Sequence, residues 1–120
     1  NELNIVADQV GTPTYALDLA KAVMTILNQE ENWSNFRRLP IYHYSNEGIC
    51  SWYDFAKAIF ELNNISCTVT PIKTEQYLTP AKRPSYSVLD KTKIKQDYHL
   101  EIPYWKESLA LCLSRLNEEV

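Results

Sequence analysis

The residues best suited to meet an anion lie in 79–90, which reads Thr-Pro-Ala-Lys-Arg-Pro-Ser-Tyr-Ser-Val-Leu-Asp. Proline fixes its own φ and biases the residue before it, so Thr79 and Arg83 are expected to be extended and the stretch non-helical. A guanidinium on a stiffened loop loses less entropy when it grips an anion. Its planar fork matches phosphate or carboxylate oxygens two at a time. A surface connector with Lys82 and Arg83 merely solvated has the same composition, and the residues alone leave both readings open.

A second concentration of donors and acceptors is Asp-Gln-Val-Gly-Thr-Pro-Thr at 8–14, where a strand ends and a helix begins. Such a place presents Gln9 to a sugar or base and backbone N–H groups to an anion, although a well-capped turn explains the same residues. Tyr53 and Lys57 make a Tyr-x-x-x-Lys pair on one helix face, the spacing at which a lysine lowers a tyrosine's pKa for proton transfer. No cofactor loop precedes the pair. The chain has two glycines, Gly11 and Gly48, so neither common Gly-rich phosphate loop can be written, and a structural role for the pair is favoured. Tyr42, Tyr44, Tyr53, Tyr77 and Tyr86 offer rings for stacking, a role that competes with ordinary packing. His43 and His99 lack partners at metal-ligand spacing and are read as structural. Cys50, Cys67 and Cys112 form no Cys-x-x-Cys pair, so reduced cytosolic thiols are expected in place of a disulfide framework or zinc site.

The elements that must position these residues follow from periodicity. Residues 3–7 read as a strand. A helix follows from near 14 to near 28, with Leu17, Ala20, Met24 and Leu27 as its inward stripe. Either Thr12, with Pro13 at the first helical position, or Thr14 caps it. Residues 29–39 read as a connecting loop anchored by Trp33 and Phe36, 41–44 as a second strand and 45–48 as a turn. Ser51 and Asp54 match a capping box. The helix they open runs to about Asn63, with Trp52, Phe55, Ala56, Ile59 and Leu62 inward. A third strand at 67–70 is closed by Pro71, a helical turn lies near 75–78, and a brief helix covers 91–96. The last helix starts at Pro103 and puts Trp105, Leu109, Cys112 and Leu116 on one face. The sum is one α/β domain, 1–120, with about three short strands and three main helices.

Composition bounds the partners. A chain of 120 residues with 45% apolar content and net charge −3 suits one globular domain and lacks the basic face that nucleic acid demands. No apolar run approaches the roughly 20 residues a membrane helix needs, and no secretory leader is seen. Asn1 leads directly into strand-like sequence, so the chain is expected to be a fragment of something longer.

Three stretches together resemble a known family: Asp-Gln-Val-Gly-Thr-Pro-Thr-Tyr-Ala-x-Asp-Leu-Ala at 8–20, Ile-Tyr-His-Tyr-Ser-Asn-x-Gly-x-x-Ser-Trp-Tyr-Asp-Phe-Ala at 41–56, and Thr-Pro-Ala-Lys-Arg-Pro-x-x-Ser-x-Leu-Asp at 79–90. The chain is similar to the C-terminal part of the dTDP-4-dehydrorhamnose reductases, which are extended short-chain dehydrogenase/reductases. The resemblance implies a parent enzyme that reduces the 4-keto group of a dTDP-6-deoxy-sugar on the way to dTDP-L-rhamnose for bacterial surface polysaccharide. NADPH or NADH gives the hydride, and a tyrosine helped by a lysine gives the proton. Those residues and the cofactor loop belong to an N-terminal Rossmann domain that is missing here. Tyr53 and Lys57 do not fall at the family's catalytic position. This chain is therefore expected to be the substrate-binding half, inactive alone, with no catalytic, cofactor or metal residue of its own.

By motif, Arg83 stands nearest the diphosphate, and Gln9, Gly11 and Thr12 line the same cleft. Lys82, Tyr86 and Ser87 join them or only shape the loop. Asp-Tyr-His-Leu at 97–100 departs from relatives that carry a glycine there. Implied partners are the dTDP-sugar, the Rossmann domain and a homodimer, with no nucleic acid or membrane, in the cytoplasm. Two alternatives remain: a related nucleotide-sugar epimerase or reductase, and a non-catalytic regulatory subunit of the same superfamily.

Overall fold

The computed structural model describes residues 1–29 and 40–118. The loop expected at 29–39, with its anchors Trp33 and Phe36, lies almost wholly outside the described residues. Strand β1 (Glu2–Val6) pairs in parallel with β4 (Thr68–Ile72), and β2 (Val10–Gly11) pairs antiparallel with β3 (Cys50–Ser51). Helices α1 (Ala16–Gln29), α2 (Trp52–Leu62), α3 (Thr92–Tyr98) and α4 (Trp105–Glu118) complete the set, with a 3₁₀ turn at Thr74–Gln76. The described residues thus hold four strands, one more than expected, and four helices: the three main ones and the brief one expected at 91–96, here α3.

Parallel pairing requires a crossover between partners, and the chain from β1 to β4 supplies it through α1 and α2. Pro71 stands inside β4 opposite Ile5 instead of ending the strand. A two-stranded ladder leaves one side of each strand unpaired, so a residue without an N–H is tolerated. Among the described residues, 41–44 form no ladder, contrary to expectation. Side chains hold them: the Tyr42 ring meets Tyr98 edge-on at 5.4 Å, and its hydroxyl donates to Asp97 at 2.8 Å.

The apolar core joins α2 to α4. Cys50, Ala58, Trp105 and Leu109 are buried, with Phe55, Ile59 and Leu113 packed against them. Phe55 and Trp105 meet edge to face at 6.1 Å. The capping box forms as expected: Ser51 Oγ accepts from the Asp54 N–H at 3.1 Å, and Asp54 Oδ2 accepts from the Ser51 N–H at 3.0 Å. Trp52, expected inward, is 60% exposed, and Leu62 is exposed as well. Pro103 precedes α4 by two residues, and its carbonyl accepts from the Glu47 N–H at 2.9 Å. Leu116 faces solvent.

Helix α1 departs furthest from its pattern. It begins at Ala16, beyond both candidate caps. Thr12 Oγ1 donates to the Gly48 carbonyl at 2.6 Å, and the entry to the helix is held by the Tyr15 N–H donating to Asn46 Oδ1 at 2.8 Å. The helix buries Asp18 and Ala22, whereas Ala20, Met24 and Leu27 of the expected stripe are exposed. A polar node draws that face inward. Asn46, fully buried, donates to Asp18 Oδ2 at 2.8 Å and Ser108 Oγ at 2.9 Å, and Ser108 Oγ donates to Asp18. Beside it, the buried Lys91 Nζ donates to Ser45 Oγ and the Asn46 carbonyl at 3.3 Å and lies 3.5 Å from Glu47 Oε2. Every group in the node has a partner, as burial in low dielectric demands. Gly48 closes the same turn at φ +89, where a Cβ would run into the Tyr104 ring.

Candidate functional site: a cationic cleft

Backbone pairing brings the loop at 79–90 onto the first turn. The Val10 N–H donates to the Ser85 carbonyl and the Ser87 N–H donates to the Val10 carbonyl, both at 2.9 Å. Ser87 Oγ also donates to that carbonyl at 3.2 Å. The approach is close enough that a Cβ on Gly11 would stand 2.8 Å from Ser87 Oγ, so a larger residue there would turn that hydroxyl away. Arg83 and Pro84 sit immediately before the pinned segment.

The other wall comes from the N-terminus of α2 and from Gln9. The amide Nε2 of Gln9 donates to Thr74 Oγ1 at 3.1 Å, while the Asp8 carboxylate accepts from the Thr74 N–H and hydroxyl. These bonds tie the 8–9 turn to the 3₁₀ turn and hold the Asp8 carboxyl below its ordinary pKa. The Ser51 hydroxyl does the same for Asp54. Burial, then the Asp54 charge, pushes the Cys50 thiol up to about 11, so it stays a packed thiol in place of a nucleophile.

Between these walls lies a cleft of about 350 Å³ lined by Gln9, Val10, Gly11, Thr12, Pro13, Cys50, Ser51, Trp52, Phe55, Arg83, Pro84 and Ser87. Among the described residues Arg83 is its one charged lining residue, and no described carboxylate lines the cleft. The structure therefore brings together Arg83, Gln9, Gly11, Thr12 and Ser87 from the sequence-based set. Lys82 and Tyr86 are exposed and do not line the cleft; Tyr86 contributes its backbone, bridged to Val10. Trp52, Phe55 and Pro84 were missed as lining residues. The signal for Trp52 was present, an aromatic directly after a helix cap, but helical periodicity assigned it to the core.

Tyr53 and Lys57 open onto a separate hollow of about 490 Å³ with Glu61, Asn64 and Cys67. Lys57 Nζ lies 4.0 Å from Glu61 and 5.8 Å from the Tyr53 ring centre, so an acid already partners its charge. The smaller cleft, whose cation meets no acid in the wall, is the better anion site. Among the described residues no three His, Cys, Asp or Glu side chains gather to hold a metal. No described helix is long and apolar enough to cross a membrane.

Fold and cleft together describe a small α/β module whose cleft carries the exposed guanidinium of Arg83. The chain belongs to the RmlD substrate binding domain family, which matches residues 1–118. It is 40% identical over 108 residues to the spore coat polysaccharide biosynthesis protein SpsK of Bacillus subtilis, covering 90% of this chain and 35% of that protein. It is 39% identical over 112 residues to a dTDP-4-dehydrorhamnose reductase of Sinorhizobium fredii, covering 90% and 38%. Among solved structures, the Clostridium acetobutylicum dTDP-4-dehydrorhamnose reductase superposes with a TM-score of 0.84 at 41% identity, covering 97% of this chain and 39% of that one. The Bacillus anthracis enzyme, solved in complex with NADP, gives a TM-score of 0.79 at 35% identity, covering 92% and 36%. The chain thus spans little more than a third of the length of these relatives. The family and the α/β class expected from the three sequence motifs are borne out.

Proposed function

We propose that this chain is the substrate-holding part of a dTDP-4-dehydrorhamnose reductase and grips the dTDP-sugar by its diphosphate at Arg83. The observation that carries this is the convergence of Arg83, Gln9, Gly11 and Ser87 on one acid-free cleft in a member of this family. The guanidinium fork pairs with phosphate oxygens, and the Arg83-Pro84 peptide keeps that fork from paying the full ordering entropy. The Thr12 hydroxyl already donates its hydrogen bond to the Gly48 carbonyl, so it shapes the wall more than it binds.

A nicotinamide cofactor supplies the hydride when bound, but the residues here do not fit one. Gly48 is packed against Tyr104 and Gly11 against Ser87, and neither belongs to a Gly-rich loop. The cofactor and the proton donor are therefore assigned to the part of the protein beyond this chain. In this reading the reaction runs in the bacterial cytoplasm, on the route to dTDP-L-rhamnose for surface polysaccharide.

Arg83→Ala in the full-length enzyme is expected to raise the KM for the dTDP-sugar about tenfold or more while leaving the KM for the nicotinamide nearly unchanged. Equal movement of both constants would overturn the assignment. On α1, Leu19, Val23, Met24 and Leu27 lie exposed side by side. We assign this face to contact with the rest of the reductase, so the 120-residue piece alone is expected to self-associate. A monomer at high concentration by sedimentation counts against that.

A further inference from the structure

Trp52 is poorly used by the fold around it. It opens α2 directly after the cap, yet it is 60% exposed and lines the cleft that holds Arg83, while Phe55 one turn on packs against Trp105. An indole left in water forfeits the burial that usually fixes a tryptophan's place, so its position calls for another partner. The cleft supplies the context. Its volume of about 350 Å³ falls near the lower end of the roughly 300–1,000 Å³ of small-molecule sites, enough for part of a nucleotide sugar. Within it stand one exposed flat ring and one guanidinium, with no carboxylate between them in the lining. A ring and an anion joined by a short linker are the two ends of a nucleoside diphosphate.

We propose that Trp52 is the stacking platform for the nucleobase of the nucleotide whose phosphates meet Arg83, so that this cleft takes the nucleotide end of the ligand and leaves the sugar outside it. The proposal rests on the diphosphate reading of Arg83. It makes Trp52 a specificity-determining residue, because stacking requires a base and the cation alone does not.

Titration of the full-length protein with dTDP, and separately with inorganic pyrophosphate, divides the two contributions. Trp52→Ala is expected to weaken dTDP about tenfold or more and to leave pyrophosphate unchanged, since base–aromatic stacking is lost and charge pairing is not. Trp52→Phe, which keeps a ring, is expected to hold dTDP within about threefold of wild type. Arg83→Ala is expected to weaken both probes. If Trp52→Ala leaves dTDP binding intact while Arg83→Ala lowers it, stacking is overturned and the diphosphate reading stands. Equal loss of both probes in Trp52→Ala also overturns stacking, leaving Trp52 as a wall of the phosphate site. If Arg83→Ala alters neither probe, the diphosphate reading itself fails. Urea midpoints for Trp52→Ala, Trp52→Phe and Arg83→Ala that match wild type show that the variants report binding and not folding.

Discussion

The cleft and the node around Asn46 are both rich in polar groups, and they use them in opposite ways. In the node, Asp18, Asn46, Ser108, Ser45 and Lys91 are buried and bonded to one another. In the cleft, Arg83 and Trp52 face solvent. Hydrogen bonds already made inside the fold hold helices together, whereas groups left open are available to a ligand. Polarity alone therefore does not mark a site; unused polarity does.

The contrast is sharpest at Asn46. Asn46→Ala strips buried donors from Asp18 and Ser108 and the acceptor from the Tyr15 N–H. A loss of about 3 kcal/mol is expected from the chain's unfolding free energy, read by urea denaturation. A loss below about 1 kcal/mol would mean that water or a rearranged Asp18 replaces the lost bonds. Arg83→Ala, by comparison, is expected to change stability by no more than about 0.5 kcal/mol, as for an exposed side chain.

Ser51 stands between the two regions, since it both caps α2 and lines the cleft. Ser51→Ala is expected to cost about 1 kcal/mol by the same denaturation, the usual worth of an N-cap. A larger loss of dTDP binding than of stability would place Ser51 with the open groups.

The smallest effect is expected from pH. A hydrogen bond from Lys95, then the Lys91 and Lys95 charges, hold the Glu47 carboxyl below its ordinary value of 4.5 despite some burial. The folded state is thus the weaker proton binder. Its stabilising contribution is complete above the ordinary value and is lost as pH falls through the lowered one. The difference in urea midpoint between wild type and Glu47→Gln is expected to be present at about pH 7 and to shrink by about pH 3. A difference that persists unchanged in acid would show that the Glu47 charge is not what Lys91 and Lys95 hold.

Much of this was legible wherever the physics is short in range. The capping box at Ser51 and Asp54 spans three residues and formed as written, and the Arg83-Pro84 loop is non-helical as its prolines require. The limits of α1 and the burial of its faces were not legible. Its inward face is set by Asn46, 28 residues from Asp18 and 62 from Ser108, and hydrophobic periodicity has no means of seeing a polar face pulled inward by distant partners. The same holds for 41–44, where the Tyr42 side chain docks on α3, 55 residues along the chain at Asp97.

Proline placement, capping chemistry and the three ordered motifs were enough to specify a stiff cationic loop, a capped helix and a family, because each depends on neighbours in the chain or on residue identity alone. Folding decided which of those groups share a space. The bonds from Val10 to Ser85 and Ser87 set Arg83 across from α2, and the packing of Phe55 on Trp105 left Trp52 turned toward the cleft. Those are contacts between segments tens of residues apart, fixed by three-dimensional packing and carried by no local pattern.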